Sequence, residues 1–580
     1  MRNADNSRAV ARNSSRLPAI QGAFRWLLAI AASPPCLFLA SVAGAAFLRR
    51  AEDDIGSALF AVVVTALVAS VLFLLTKRLA VSVYAAWVLS ALIAVSSSVK
   101  AHMTGMSLHS FDLVFLLADP TAFAFLMRTY FSQAVIVLCG LGVALCGLVL
   151  IARAERPRRI GLVWRAAIPA ALLFLASQTL PGWASGTDYY FYGRHVSAFA
   201  ASVRDLAHLW QPHPLAARLA NVPPQTPYGA AFQCREGSRP DIILIHAESE
   251  LPPADLKTWG IANETIGDFR SGDGRIHRFG VETFGGSSWV TTASIMTGLS
   301  GADFEWMRPF MMKTVNGTVS ATIPEIAKSC GYRVDTVIGY DIFDVGAFMA
   351  ANGARNDMTS ANGQHSEFFH RDSHYFDTGR EILSRNRAEG MPSFVYIETM
   401  FTHSPYDKRY DESITLPGEP FSKNAETNEY LRRLALSRQD IAALKRELAA
   451  NPGENGTIVV EYGDHRPLVA LNASGTADDL SDWRSPAYET YFAAAAFGTA
   501  PPIAPPESPR MDAAFLGYWI LKAAGVADGG VVDDMAELQV TCGGLFHLCP
   551  DRAKVDRLLK RRMESGLLSL PPLIDQWRPL

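Results

Sequence analysis

The sequence predicts a two-part molecule: an N-terminal α-helical transmembrane bundle of five spans, then a C-terminal α/β domain on a central, mostly parallel sheet. Three observations lead there. Of 580 residues, 49 % are hydrophobic and only 19 % charged, below the roughly 25 % charge of soluble domains. The long apolar stretches all fall before Leu180. Beyond them, three continuous apolar runs of strand length are each followed at once by polar residues. A net charge of −3 excludes a global basic field for nucleic acid. Seven cysteines with no C-x-x-C pair exclude a zinc ribbon, a thioredoxin-type site and a disulfide scaffold.

The spans are read at Trp26–Leu48, Ile55–Leu75, Val81–Ser98, Ala134–Ala152 and Leu162–Leu180, since about 20 apolar residues are needed to cross ~30 Å of hydrocarbon. Leu108–Leu126 is apolar but broken by Asp112, Asp119 and Pro120, so it reads as an interfacial or re-entrant segment. Twelve Lys and Arg residues, from Arg2 to Arg165, fall on one side of this arrangement; Arg49, Arg50, Lys100 and Arg128 fall on the other. The positive-inside rule then makes the N-terminus cytoplasmic, and an odd number of spans puts everything after Leu180 outside. Ala43-Gly-Ala45 resembles a signal cleavage site, but the apolar run exceeds the roughly 7–15 residues of a signal core, so a retained anchor is expected. The predicted location is the inner (plasma) membrane, multi-pass, with the C-terminal domain extracytoplasmic or periplasmic. The predicted domains are 1–181, a juxtamembrane linker with an amphipathic helix at 182–239, and the catalytic domain 240–580. Cys36, Cys139 and Cys146 lie in the spans; Cys542 and Cys549 are near enough to close a small loop, with Cys234 and Cys330 a looser pairing.

In the C-terminal domain, Asp241–His246 is a buried-type strand followed by Ala247-Glu248-Ser249. Phe394–Thr399 leads to His403, and Thr457–Tyr462 leads to Gly463-Asp464-His465-Arg466. Continuous apolar strands separated by helices imply a sheet covered on both faces. Ligands of such sheets bind beyond the carboxyl ends of the strands, where Glu248, His403, Asp464 and His465 fall. Between the first two strands, Gly285-Gly286 permits an unusual turn. Ser287 or Ser288 then suits a helix N-cap, with Trp289–Thr297 the helix and Gly298 its end. A serine there is a candidate nucleophile, because the free N–H groups of a helix N-terminus favour an oxyanion or phosphate.

Two carboxylates and an imidazole from Glu248, Asp464 and His465 suit one divalent ion, Mn²⁺ or Zn²⁺, with Mg²⁺ a third candidate. A serine oxygen as fourth ligand gains acidity and becomes a nucleophile near neutral pH. His403 serves as general acid or base or binds phosphate, and Ser287 and Arg466 are further substrate-binding candidates. His365, His370 and His374, beside Asp372 and Asp377, read as a solvated loop or substrate rim. Glu398 reads as a structural hydrogen-bond partner, and the Arg and Glu residues of Leu431–Leu448 as the solvated face of an amphipathic helix.

With these residues in place, the sequence resembles the alkaline phosphatase/sulfatase superfamily. It is most similar to the membrane-anchored lipoteichoic acid synthases and phosphoglycerol or phosphoethanolamine transferases. The resemblance implies a sulfatase-like α/β domain whose metal is held at Glu248, Ser288, Asp464 and His465, with His403 binding substrate. Ser288 is favoured over Ser287 because the family's Thr-Gly lies ten residues beyond its nucleophile, where Gly298 stands here. The family's Trp and Arg for glycerol phosphate have no match around Phe343–Phe348. The implied reaction takes a phospho-alcohol head group from a phospholipid donor, through a covalent Ser intermediate, to an envelope glycan or lipid acceptor at the membrane. Rival readings are a sulfatase- or phosphatase-type hydrolase and a non-catalytic membrane scaffold. Sulfatases that convert their nucleophile carry Pro at +2 and Arg at +4, where this chain has Val290 and Thr292.

Overall fold

The computed structural model describes residues 26, 28–104, 106–118, 131–185, 193–339, 345–358, 370–476, 478–480, 482–506, 508–572 and 575. The chain forms two units, Met1–Ala207 and His208–Leu580.

The first unit contains α1 (Pro34–Ala51), α2 (Ile55–Thr76), α3 (Leu79–Thr104), α4 (Phe131–Ala154) and α5 (Leu162–Gln178). Each overlaps one predicted span. Three stretches among the described residues are long and apolar enough to cross a membrane: Ile55–Thr76, Leu79–His102 and Ala134–Ala154. The other two helices are shorter: α1 has 18 residues, ending in Arg49 and Arg50, and α5 has 17. At 1.5 Å per residue they rise about 27 and about 26 Å, less than a ~30 Å hydrocarbon core. Thr65 and Ser90 join α2 to α3 through a 2.7 Å hydroxyl contact, a polar link suited to apolar surroundings. Within Leu108–Leu126 a helix covers Ser110–Ala118, and Asp112 pairs with Lys100 at 2.6 Å; residues 119–126 lie outside the described residues. Within the predicted linker, the helix Val196–Ser202 belongs to this unit, where Glu52 accepts the Val196 and Ser197 N–H groups at 2.8 and 3.1 Å. The following turns are 3-10 and leave Val203 and Trp210 exposed.

The second unit is built on an eight-stranded sheet: β1 (Asp241–Ala247), β2 (His277–Gly280), β3 (Arg333–Ile338), β4 (Arg355–Met358), β5 (Ser393–Glu398), β6 (Thr457–Gly463), β7 (Glu489–Phe497) and β8 (Arg510–Asp512). Its order is β4-β3-β5-β1-β6-β7-β2-β8. The sheet is mixed: β7 runs antiparallel to β6 and β2, and every other neighbouring pair is parallel. The three strands legible in the sequence form its centre, β5-β1-β6, and every residue of them is buried. Helices α6 (Ser288–Thr297), α7 (Asp372–Ala388), α8 (Ala425–Ala450) and α9 (Ala513–Ala523) flank it. Ile243, Val395 and Val459 on one face meet Phe376 of α7 and Ile441 of α8. On the other face α6 packs on α9, where a Cβ at Gly517 would lie 2.4 Å from the Ile295 carbonyl oxygen.

Two disulfides, Cys234–Cys330 and Cys542–Cys549, tie loops of this unit; Cys36, Cys139 and Cys146 are free. One sequence expectation is overturned. Arg432, Arg433 and Arg438 of α8 are buried, as is Glu429, not spread on a solvated face. Arg438 lies between the buried carboxylates of Glu250 and Glu461 at 3.0 and 2.8 Å. Arg432 pairs with Glu419 at 3.0 Å and Arg433 with Glu429 at 2.9 Å. A guanidinium enters an interior when its donors are met this way. The later part of the helix, with Arg446 and Glu447 exposed, follows the amphipathic pattern.

Candidate active site

Parallel register brings the site together. His246 pairs with Glu398 on one side and Tyr462 on the other, and Ala247 pairs with Gly463. Strands β1 and β6 therefore end at the same level, and the residues that follow, Glu248 and Asp464, emerge side by side. Gly463 is required for this: a Cβ there would fall 1.9 Å from the Glu250 carbonyl oxygen.

The serine arrives from the other direction. Gly285 and Ser287 adopt left-handed φ values of 73° and 68°, and the turn delivers Ser288 as the first residue of α6. Main chain fixes the turn to the loop after β6: Gly285 N–H donates to the Arg466 carbonyl at 2.8 Å, and Phe284 and Arg466 form a parallel bridge. Farther along α6, the Thr291 hydroxyl donates to the Asp464 carbonyl at 3.0 Å.

The expected residues converge. Ser288 Oγ donates to Glu248 Oε2 at 3.2 Å. His465 Nε2 lies 3.3 Å from Asp464 Oδ2 and 3.6 Å from Glu248 Oε1. His403 occupies the turn after β5, its Nδ1 2.5 Å from the Ser404 carbonyl oxygen. Ser287 sits at the helix boundary, buried. Arg466 is buried; its Nε donates to the Glu489 carbonyl at 2.7 Å, and its Nη1 makes no hydrogen bond. Glu398, as read, is a structural partner, accepting from Tyr396 Oη at 3.2 Å. His370 and His374 lie with ring centroids 4.6 Å apart at the start of α7; His365 and residues 343–344 lie outside the described residues.

Sequence reasoning missed His246. Fully buried at the end of β1, it places Nε2 3.2 Å from Asp464 Oδ2 and 3.5 Å from Glu248 Oε2. Its Nδ1 is 3.0 Å from Tyr396 Oη. The signal was a lone imidazole closing an isoleucine-rich strand, two residues before a carboxylate.

Electrostatics hold both carboxylates ionised despite burial. Burial and the Asp464 charge push the Glu248 carboxyl up, but the adjacent His246 imidazole and the charges of His403 and His465 outweigh them and set it below its ordinary range. Burial acts on Asp464 likewise; the charges of His465 and His246 hold it well below. Burial lowers His246, yet Tyr462, Asp464 and Glu248 raise it well above an ordinary imidazole. Two buried anions side by side call for cationic company.

The donor set fits a metal ion. Asp464 Oδ2, His465 Nε2 and His246 Nε2 are buried and make no hydrogen bond. Four ligands about 2.1 Å from a tetrahedral cation stand about 3.4 Å from one another; Glu248 Oε2 lies 3.2 and 3.5 Å from Ser288 Oγ and His246 Nε2, and Asp464 Oδ2 lies 3.2 and 3.3 Å from the Nε2 atoms of His246 and His465. Among the described residues, His246, Glu248 and Asp464 form the metal-capable cluster by mutual distance.

Residues 277–506 match the sulfatase family. The matched span lies within the second unit and includes Ser288, His403, Asp464 and His465 but begins after Glu248. No curated protein matches the chain. Similar solved structures include the lipooligosaccharide phosphoethanolamine transferase A (EptA) of Neisseria meningitidis, 15 % identical over 83 % of this chain and 95 % of that one, with a TM-score of 0.49. They also include the phosphoglycerol transferase GacH of Streptococcus pyogenes, in complex with sn-glycerol-1-phosphate, 15 % identical over 61 % and 90 %, TM-score 0.41. The lipoteichoic acid synthase LtaP of Listeria monocytogenes is 12 % identical over 54 % and 78 %, TM-score 0.37.

Proposed function

We propose that this chain, a sulfatase-family domain joined to a helical unit with membrane-span candidates, transfers a phospho-alcohol head group. The group, phosphoglycerol or phosphoethanolamine, passes from a membrane phospholipid to an envelope glycan or lipid acceptor, outside the inner membrane. The observation that carries the reading is the Ser288 hydroxyl, 3.2 Å from Glu248 Oε2 at the first turn of a ten-residue helix.

Glu248, Asp464, His465 and Ser288 would hold one divalent ion, Mn²⁺ or Zn²⁺, with Mg²⁺ a third candidate; His246 stands beside them. When bound, such an ion acidifies the serine hydroxyl and neutralises charge on the phosphoryl oxygens. Ser288 Oγ, ionised with its proton released to solvent, attacks the phosphorus, forming a serine–phosphate ester and breaking the bond to the diacylglycerol oxygen. That oxygen leaves with a proton from His403. The Ser404 carbonyl engages Nδ1 of His403, which leaves Nε2 to move the proton. In the second half the acceptor hydroxyl gives its proton to His403 Nε2, attacks the same phosphorus and frees Ser288. The positive end of the α6 dipole, at Ser288, favours the phosphate throughout. The membrane unit supports transfer from a lipid, because anchoring replaces free diffusion with a high local concentration of donor.

The family match also favours a second reading, hydrolysis of a sulfate or phosphate ester. Val290 and Thr292, where converted sulfatases carry Pro and Arg, argue against a modified serine. The experiment supplies the full-length protein with head-group-labelled phosphatidylglycerol or phosphatidylethanolamine. Diacylglycerol release with label retained on intact Ser288 is expected from one of them, and none from Ser288→Ala in a folded, membrane-inserted protein. Full turnover by Ser288→Ala removes the mechanism. Free head group released at the rate of diacylglycerol, whatever acceptor is added, selects hydrolysis.

A further inference from the structure

We infer that Ser249 is a positioning residue that grips one oxygen of each of the two carboxylates and so presents the other oxygen of each to the metal. The inference rests on the proposed metal site and adds a residue that does not itself touch the ion.

Ser249 follows Glu248 directly and is buried, with a left-handed φ of 53°. A serine avoids this conformation unless the surroundings enforce it, and such strain collects where geometry serves a site. All of its polar groups are engaged. Its hydroxyl donates to Glu248 Oε1 at 2.7 Å, its N–H donates to Asp464 Oδ1 at 2.7 Å, and its carbonyl accepts from Tyr430 Oη at 2.8 Å. The N–H precedes the φ rotation and the side chain follows it, so this φ sets the angle between the two grips. The left-handed residue bends the chain so that one serine reaches both strand ends.

The oxygens it leaves are the ones that face inward. Asp464 Oδ2 makes no hydrogen bond and lies between the two imidazoles, 3.2 Å from His246 Nε2 and 3.3 Å from His465 Nε2. Glu248 Oε2 receives the Ser288 hydroxyl at 3.2 Å. A carboxylate with one oxygen tethered cannot swing to chelate with both, and groups that orient ligands in this way govern metal affinity.

The test titrates Mn²⁺ and Zn²⁺, against a chromophoric chelator, into metal-stripped full-length protein carrying Ser249→Ala, Ser249→Gly or Tyr430→Phe. Both Ser249 variants should bind about 10–100-fold more weakly than the unaltered protein. The glycine variant relieves the backbone strain and keeps the test open if the alanine variant fails to fold. Tyr430→Phe removes the tether on the Ser249 carbonyl but neither grip on a carboxylate. It should lower the metal-free melting temperature and leave affinity within about threefold, well inside the range of a lost orienting contact. Ser249 variants that bind like the unaltered protein overturn the assignment, as does an equal loss of affinity in Tyr430→Phe, which would mark general loosening. An unaltered protein that binds neither ion defeats the proposed function together with this role; normal binding with unimpaired Ser249 variants defeats this role alone.

Discussion

At the scale of single residues, steric room and charge decide what the site tolerates. Gly463 has no space for a side chain beside the Glu250 carbonyl, so Gly463→Ala should destabilise the second unit by about 1–3 kcal/mol. Chemical denaturation of the metal-free protein measures it. Asp372 gives a pH-dependent case. Buried at the start of α7, it accepts the Phe401 N–H at 3.3 Å, and burial pushes its carboxyl up to about 8. Unfolded, the same group titrates near about 3.9. Between those values the folded state holds the extra proton, so stability falls as pH rises from about 4 to about 8. Asp372→Asn should therefore raise the melting temperature at pH 8, with a smaller difference at pH 5. An equal shift at both pH values would disprove the linkage. Most of the candidate site was legible at this scale: Glu248, Ser288, Asp464 and His465 each follow a strand or begin a helix, and they converge in the structure. His246 was not, because an imidazole inside an apolar strand looks the same in sequence whether it packs or binds. Ser249 gave no signal, since a left-handed serine is a product of tertiary constraint.

At the scale of elements, the strands followed from composition and α8 did not. β1, β5 and β6 are apolar throughout because both their faces are covered, and that pattern survives without an alignment. In α8 the charged residues suggested water, whereas Arg438 is buried between Glu250 and Glu461. A helical period reports which residues share a face; it cannot report that carboxylates from β6 and from the loop after β1 wait on that face. Arg438→Met should cost about 3–5 kcal/mol, since it leaves two buried carboxylates without their guanidinium. Thermal unfolding tests this, and restoration by the triple variant Arg438→Met, Glu250→Gln, Glu461→Gln would show that the cost is uncompensated charge. The first unit carries a parallel lesson. Apolar runs located all five helices, but helix ends set by Arg49, Arg50 and Gln178 leave three stretches that meet the length for crossing.

At the scale of the whole molecule, covalent ties and main-chain contacts set what can move. Cys234–Cys330 spans 96 residues and Cys542–Cys549 only 7. Chain entropy makes loss of the longer tie costlier by about 2 kcal/mol, so paired Cys→Ser variants of the first should melt below those of the second. The sequence left both pairings open because spacing alone bounds loop length and says little about proximity. The bridge between Phe284 and Arg466 has a different consequence. It couples the Ser288 hydroxyl to the Asp464–His465 pair through peptide groups, which no side-chain replacement removes. Their relative placement is thereby insulated from mutational drift.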